Sequence, residues 1–370
     1  MSADPHRLLR HPGPIEAYPL EPSNEELAAS VGLPVERIVR YDLNTLGGGP
    51  LPGVRGAWEQ WDPAAAVEYG DLAYRRLREA IGFAIGVAPH RIIPGAGADE
   101  LIRLVTTSVV GPGDGVVIAA PTFPMFAVEA GLAGARVHAV TRDHPATRQT
   151  PDAIRSRVET TGSRLAWICS PNNPTGDAHP LAELRHIADG LEAIVTVDQV
   201  YLEFAEASGA SGLDAIGLQA DLDNLLVLRS MAKAYGLAGA RIGYLVVPDA
   251  LAERFDALRL PLSVGAATEA LALGALADAS APDRRRAIVA ERDRLADALR
   301  STGCEVLDGL GNFVTFRPPD AAPLAAALLA RGLVVREFPA TGPMAGWLRA
   351  TARAADENAL LLAALAEELG

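Results

Sequence analysis

Between Arg91 and Val247 the chain alternates short apolar runs with amphipathic stretches, and this alternation restricts the fold more than any other feature. Strands are expected at 91–94, 116–120, 136–140, 165–169, 193–197, 225–228 and 242–247, with helices at 100–110, 127–133 and 181–189. Short runs rich in Val, Ile and Leu suit strands covered on both faces, and strands separated by helical stretches pair in parallel. The expectation is an α/β fold with a mostly parallel central sheet and helices on both faces. Open sheets of this kind bind ligands beyond the carboxyl ends of their strands. Gly95, Phe123, Asn173, Asp198 and Lys233 each closely follow an expected strand, so the topology alone gathers them at one edge.

Lys233 lies in the run Leu228-Arg229-Ser230-Met231-Ala232-Lys233-Ala234-Tyr235-Gly236-Leu237-Ala238-Gly239-Ala240-Arg241. A strand-like stretch gives way to small residues, one lysine, glycines and an arginine. Crowding by apolar neighbours disfavours the ammonium form, leaving an amine that can be neutral at working pH. A neutral amine can condense with an aldehyde. Arg241 can hold a phosphate through paired N–H groups. Taken alone, a lysine among glycines is usually a solvated loop residue. This one has companions upstream, in Ser170-Pro171-Asn172-Asn173-Pro174-Thr175-Gly176 and in Val197-Asp198-Gln199-Val200-Tyr201. Asp198 ends a strand and can partner a protonated ring nitrogen, while Asn173 and Tyr201 can reach a phenolic oxygen. An aldehyde and a phosphate on one small molecule describe pyridoxal 5′-phosphate.

Gly95-Ala96-Gly97-Ala98-Asp99-Glu100 reads as a turn into a helix, whose free N–H groups at Ala98 and Asp99 suit a phosphate. The third glycine of a dinucleotide fingerprint is missing, which argues against that use. Beyond 250 the pattern changes. Helices are expected at 251–258, 266–279, 284–302, 324–331 and 357–369, with strands at 305–307, 313–316 and 334–337, as in a smaller α+β unit. A helix is also expected at 23–31, capped by Ser23, and irregular chain at 43–52.

The 370 residues allow one large core and a smaller one. A net charge of −13 argues against a nucleic-acid or polyanionic membrane partner. Cys169 and Cys304 lack metal-ligand spacing and read as reduced cysteines of a cytoplasmic protein; no metal site is expected. No signal-like start and no charge-free apolar run of spanning length is evident, so no membrane segment is expected.

Together, the Ser170–Gly176 run, the Asp198-x-x-Tyr201 pair and the lysine segment resemble the fold-type I pyridoxal-phosphate enzymes, specifically class I/II aminotransferases of the histidinol-phosphate aminotransferase branch. The likeness runs from about Tyr18 to the C-terminus. It implies a large cofactor-binding domain at 41–260 and a small domain at 261–370, with residues 1–40 packing on the latter. Lys233 is implied as covalent anchor and general base, Asp198 as the pyridinium partner, Phe123 as the aromatic over the ring, and Ser230 as a phosphate contact. Tyr69 is implied to reach the phosphate of the other subunit of a homodimer. Arg349 would fork onto a substrate carboxylate, with Tyr18 and Asn44 lining the entrance. The implied reaction moves an amino group from an amino acid or amino-phosphate to a 2-oxo acid. Aromatic or other amino-acid aminotransferases and threonine-phosphate-type decarboxylases share these residues. A regulatory use of the fold is expected to come with a DNA-binding module, for which there is no room. The chain departs from the pattern where Asn44-Thr45-Leu46-Gly47 replaces Asn-Glu-Asn-Pro, Ala232 replaces a serine, and Arg353 replaces a glycine. These departures leave the cofactor expectation intact and bear on the substrate.

Overall fold

The computed structural model describes Tyr18 and residues 21–370. In chain order it contains α1 (Asn24–Val31), β1 (Val39–Arg40), α2 (Pro52–Gln60), α3 (Arg75–Ile85), β2 (Ile92–Gly95), α4 (Ala98–Val109), β3 (Gly115–Ala119), α5 (Met125–Leu132), β4 (Arg136–Val140), α6 (Pro151–Thr161), β5 (Leu165–Cys169), α7 (Leu181–Ala188), β6 (Ile194–Asp198), α8 (Leu202–Ala207), β7 (Leu225–Ser230) and β8 (Gly243–Val246). There follow α9 (Asp249–Leu258), α10 (Ala266–Leu276), α11 (Ala281–Ser301), β9 (Glu305–Val306), β10 (Phe313–Arg317), α12 (Ala321–Ala330), β11 (Leu333–Val334), β12 (Arg336–Glu337), β13 (Leu348–Thr351) and α13 (Ala355–Leu369).

The central sheet has seven strands in the order β2-β8-β7-β6-β5-β3-β4. Its strands are parallel except β8, which runs antiparallel to both neighbours. Alternation along the interior strands divides the core, whereas the edge strand β4 is largely exposed. On β5, Leu165, Trp167 and Cys169 pack on one face with Leu101, Val105 and Phe255, from α4 and α9. Ala166 and Ile168 pack on the other with Ile81, Val158 and Ile187, from α3, α6 and α7. Both faces are therefore dry, which explains why these strands read as continuous apolar runs. Trp167 stacks on Phe126 with centroids 4.6 Å apart. Trp167→Ala would cost about 3–5 kcal/mol, the usual scale for emptying an aromatic site.

A second, antiparallel sheet has the order β12-β13-β10-β9. It shares a core with α11, α12 and α13 through Leu295, Phe316, Leu328, Leu348 and Leu361. α1 carries a full capping box at Ser23 and Glu26. Leu27, Ala28 and Ile38 then pack on Leu329 and Val334, and β1 pairs in parallel with β11.

The sequence expectation falls short at three helices. α6 has Thr150 as N-cap and Pro151 at its first turn, but buries only Ile154 and Val158, too thin a stripe to stand out. α2 starts at a Pro-Gly pair that reads as loop, and α8 is a single long turn of six residues. α4 also begins two residues earlier than the expected Glu100, at Ala98. Ala98 and Asp99 are thus the first residues of the helix itself, where N–H groups have no intrahelical acceptor.

Candidate active site

A cavity of about 580 Å³ opens at the carboxyl ends of the parallel strands. Its wall includes Ala98, Asp99, Phe123, Asn173, Asp198, Tyr201, Ser230, Lys233, Arg241, Arg349, Tyr18 and Asn44, residues spread over more than 300 positions of sequence. The strand ends bring them together. Tyr69 lies outside this cavity, 85% exposed on the segment between α2 and α3.

Lys233 is half-buried in the loop after β7, and its Nζ donates to the Leu43 carbonyl at 2.9 Å. Desolvation lowers its pKa to about 8, helped by the positive charge of Arg349. Asp198 ends β6 and is buried; desolvation raises its carboxyl to about 7, against the pull of the Val200 N–H it accepts at 3.1 Å. A buried carboxyl without a cationic hydrogen-bond partner among the described residues is where a protonated ring nitrogen would be stabilised. Phe123 and Val200 add apolar wall.

α4 is capped at its N-terminus by Gly97, whose φ of +85° strains any side chain; a Cβ there would also lie 2.7 Å from the Arg241 guanidinium. Arg241 itself adopts φ +56° and pairs with Asp99 at 2.8 Å. Ser230 stands beside them, its Oγ accepting from the Ala232 N–H at 3.2 Å. A helix N-terminus, a guanidinium and a hydroxyl form a donor set for a phosphate. With Lys233 and Asp198 in the same cavity, the residues fit pyridoxal 5′-phosphate.

Tyr201 Oη accepts from Asn44 Nδ2 at 2.9 Å. Asn44 has φ +53° and is fixed by its own N–H to Thr351 Oγ1, at 2.9 Å, and by Asn312 donating to its carbonyl, at 3.2 Å. Burial pushes the Tyr201 phenol well above its ordinary value, so it stays protonated. Arg349, on β13, is buried, and desolvation lowers it to about 10. It donates to Asn173 Oδ1 and to the Asp42 carbonyl, and its Nε has no partner among the described residues. The Asp42 carboxylate is taken by Arg40 at 2.6 Å. Arg349 is thus a buried cation with no carboxylate against it among the described residues, a costly arrangement that an incoming anion relieves.

Arg336 escaped the sequence reading. It faces Arg349 directly across β12 and β13. Only strand register joins two arginines 13 positions apart, and an arginine in a two-residue strand gives no signal of its own. Glu21 pairs with it. Thr122, which donates to Asn172 Oδ1 at 2.8 Å, and Cys169 also line the cavity unforeseen. Burial pushes the Cys169 thiol up, so it is not a nucleophile; both cysteines are buried and free. Two departures from the family pattern meet outside the cavity, where Arg353 donates to Thr45 Oγ1 at 3.2 Å and to Glu357 at 2.6 Å.

Residues 46–366 match the family model for aminotransferase class I and II. The chain belongs to that family. It is 37% identical to a histidinol-phosphate aminotransferase of Roseiflexus castenholzii over 85% of both chains. It is 31% identical to that of Lactiplantibacillus plantarum, over 93% of this chain and 95% of the relative. The crystal structure of histidinol-phosphate aminotransferase from Sinorhizobium meliloti in complex with pyridoxal-5′-phosphate superposes with a TM-score of 0.85, at 27% identity and 96% coverage of both chains. This aminotransferase is therefore a fold-type I, pyridoxal-phosphate-dependent enzyme of the histidinol-phosphate aminotransferase branch, and its reaction is transamination. Among its described residues no helix is long and apolar enough to cross a membrane.

Proposed function

We propose that this aminotransferase takes its amino group from histidinol phosphate or a close amino-phosphate or amino-acid analogue and delivers it to a 2-oxo acid. The observation that carries this reading is Arg349: a buried guanidinium, without a carboxylate partner among the described residues, in the same cavity as Lys233. Phosphate and carboxylate both fit a guanidinium fork. The relatives of R. castenholzii and L. plantarum, named for histidinol phosphate, support the phosphate-bearing donor.

Pyridoxal 5′-phosphate, when bound, supplies an aldehyde that takes up the amino group and a ring that accepts electron density from the donor's α-carbon. The protein's own residues do the rest. Ala98, Asp99, Ser230 and Arg241 hold the phosphate, and Phe123 covers the ring. Asp198 keeps a proton on the ring nitrogen. Asn173 and Tyr201 face the phenolic oxygen, with Asn44 orienting the tyrosine. Lys233 would hold the cofactor's aldehyde, and its amine, near neutrality at a pKa of about 8, would serve as the general base for the donor's α-proton. Arg349 fixes the donor's anionic group so that the α-proton points at Lys233, and Tyr18 closes the entrance.

The active unit in this reading is a cytoplasmic homodimer in which Tyr69 completes the neighbour's phosphate site; its exposure supports this, since an aromatic 85% open to solvent costs little to bury against a partner. Residues 41–260 form the cofactor domain, and 21–40 join 261–370 in the small one; the rest of the expected 1–40 segment, apart from Tyr18, lies outside the described residues. The test is a panel of half-reactions: histidinol phosphate, aromatic amino acids and acidic amino acids, each followed by the cofactor's absorbance. Histidinol phosphate should convert the cofactor fastest, and a 2-oxo acid should restore it. Carbon dioxide release without dependence on an oxo acid would refute the reading.

A further inference from the structure

The cavity's arginines are not equivalent. Arg241 pairs with Asp99 and Arg336 with Glu21, while Arg349 has only carbonyl oxygens as acceptors among the described residues. Arg336 and Arg349 stand opposite in register on adjacent strands, so two like charges share one face of the small sheet. Like charges in that relation repel, and a carboxylate beside one of them removes much of the cost. The chain supplies that carboxylate itself. Glu21 sits just ahead of α1, on a separate segment from β12. Glu21 and Arg336 both line the cavity that holds Lys233 and Arg349, together with uncharged residues such as Tyr18, Phe338, Thr341 and Met344. Both side chains keep about a quarter of their surface open, 26% for Arg336 and 25% for Glu21. Neither side chain is fully buried, so water can reach both charged groups when the pair is parted.

From this we infer that Glu21 is a specificity-determining residue, an exchangeable counter-ion that a second anionic group on the substrate must displace to reach Arg336. The inference rests on the reading that Arg349 takes the first anion. A substrate with one anionic group occupies Arg349 and leaves the Glu21–Arg336 pair intact. A substrate with a second anion meets a guanidinium already engaged and a carboxylate of its own sign. It binds only as far as its attraction to Arg336 exceeds that of Glu21. Glu21 thus holds down the affinity for doubly anionic substrates and products, and with it their retention, without touching those with a single anion at Arg349.

The test uses the holoenzyme and two non-reacting probes of equal chain length, valerate with one carboxylate and glutarate with two. Dissociation constants come from calorimetry, and kcat/KM ratios for glutamate against norvaline give a second readout. Glu21→Gln should raise the glutarate-to-valerate affinity ratio, and the glutamate-to-norvaline ratio, by about tenfold, the scale of removing one like charge a few ångströms away in a partly wet site. Glu21→Ala should act in the same direction, which guards against a specific effect of the amide. In an Arg336→Gln background the gain should vanish. A ratio unchanged by both Glu21 variants, or a gain that persists without Arg336, overturns the inference. Arg349→Lys tests the underlying reading separately: it should weaken both probes together, and if it weakens neither, that reading fails whatever Glu21 does.

Discussion

Asp198→Asn exposes the site's electrostatics most directly. In the cofactor-free protein, burial moves this carboxyl from 3.8 to about 7. A group whose folded pKa is raised holds its proton more tightly folded than unfolded. Its contribution to stability is complete below the unfolded value and is lost as pH rises through the folded one. The window is therefore about pH 4 to 7. A shift of about 3 units, at ~1.36 kcal/mol each, amounts to roughly 4 kcal/mol lost by pH 8. About 60% of that falls between pH 5 and pH 8. With an unfolding entropy of about 2.1 cal/mol/K per residue, this is a difference of about 3 °C in Tm for a chain this long. Asparagine does not titrate, so the cofactor-free variant should gain about 3 °C on the wild type between pH 5 and pH 8. Melting both proteins at the two pH values measures it. The holoenzyme should behave in the opposite sense. In the proposed holoenzyme this carboxylate would partner a protonated ring nitrogen, and removing its charge should lower turnover by about 10²–10³, the scale for deleting one electrostatic partner of a developing charge. A variant-to-wild-type gap that is the same at both pH values, or unchanged turnover, would refute the argument.

Borohydride reduction and peptide mapping should find the pyridoxyl group on Lys233, and Lys233→Ala should retain none; a label on another lysine contradicts the assignment. Because desolvation lowers Lys233 to about 8, covalent capture of the cofactor by the apo-enzyme should speed up about tenfold per pH unit up to that value and then level off. Arg349→Gln removes one of the charges that depress Lys233, so stopped-flow profiles should show the inflection at higher pH; an unmoved inflection would exclude that coupling. Arg349→Ala should also weaken carboxylate donors by about 1.5–3 kcal/mol, roughly 10- to 150-fold, and equal affinity would count against its role. In the proposed homodimer, Tyr69→Ala, if strongly impaired alone, and Lys233→Ala should recover activity when mixed and re-equilibrated, since a mixed dimer would hold one intact site; confirmed subunit exchange without recovery would exclude the cross-subunit tyrosine.

Much of the site was legible because α/β topology converts sequence position into spatial position. Asn173, Asp198 and Lys233 follow successive parallel strands, β5, β6 and β7, and parallel strands end on the same side. Any reader who sees the apolar runs can place these residues together without seeing a contact. The alternation within β5 likewise dictates that both faces be covered. α6 was not legible because its stability comes from a cap, a first-turn proline and only two buried side chains, none of which makes a strong period.

The anion end of the cavity obeys a different rule, and it explains why Arg336 and Glu21 stayed hidden. Arg349 was visible only through resemblance. Its partner charge enters by antiparallel register between β12 and β13, which pairs Arg336 with Arg349 across a connection lacking regular periodicity. Register is set by the packing of Leu348 and Ala350 into the small core, not by the arginines. A shift of one residue would send the guanidinium of one strand to the opposite face. Glu21 then reaches Arg336 from a segment more than 300 residues away in sequence. Residues delivered by strand ends can be read from order alone, whereas residues delivered by register and by a returning terminal segment need the fold. The chemistry common to pyridoxal-phosphate enzymes sits on the first kind of position here. The contacts proposed to discriminate among substrates sit on the second.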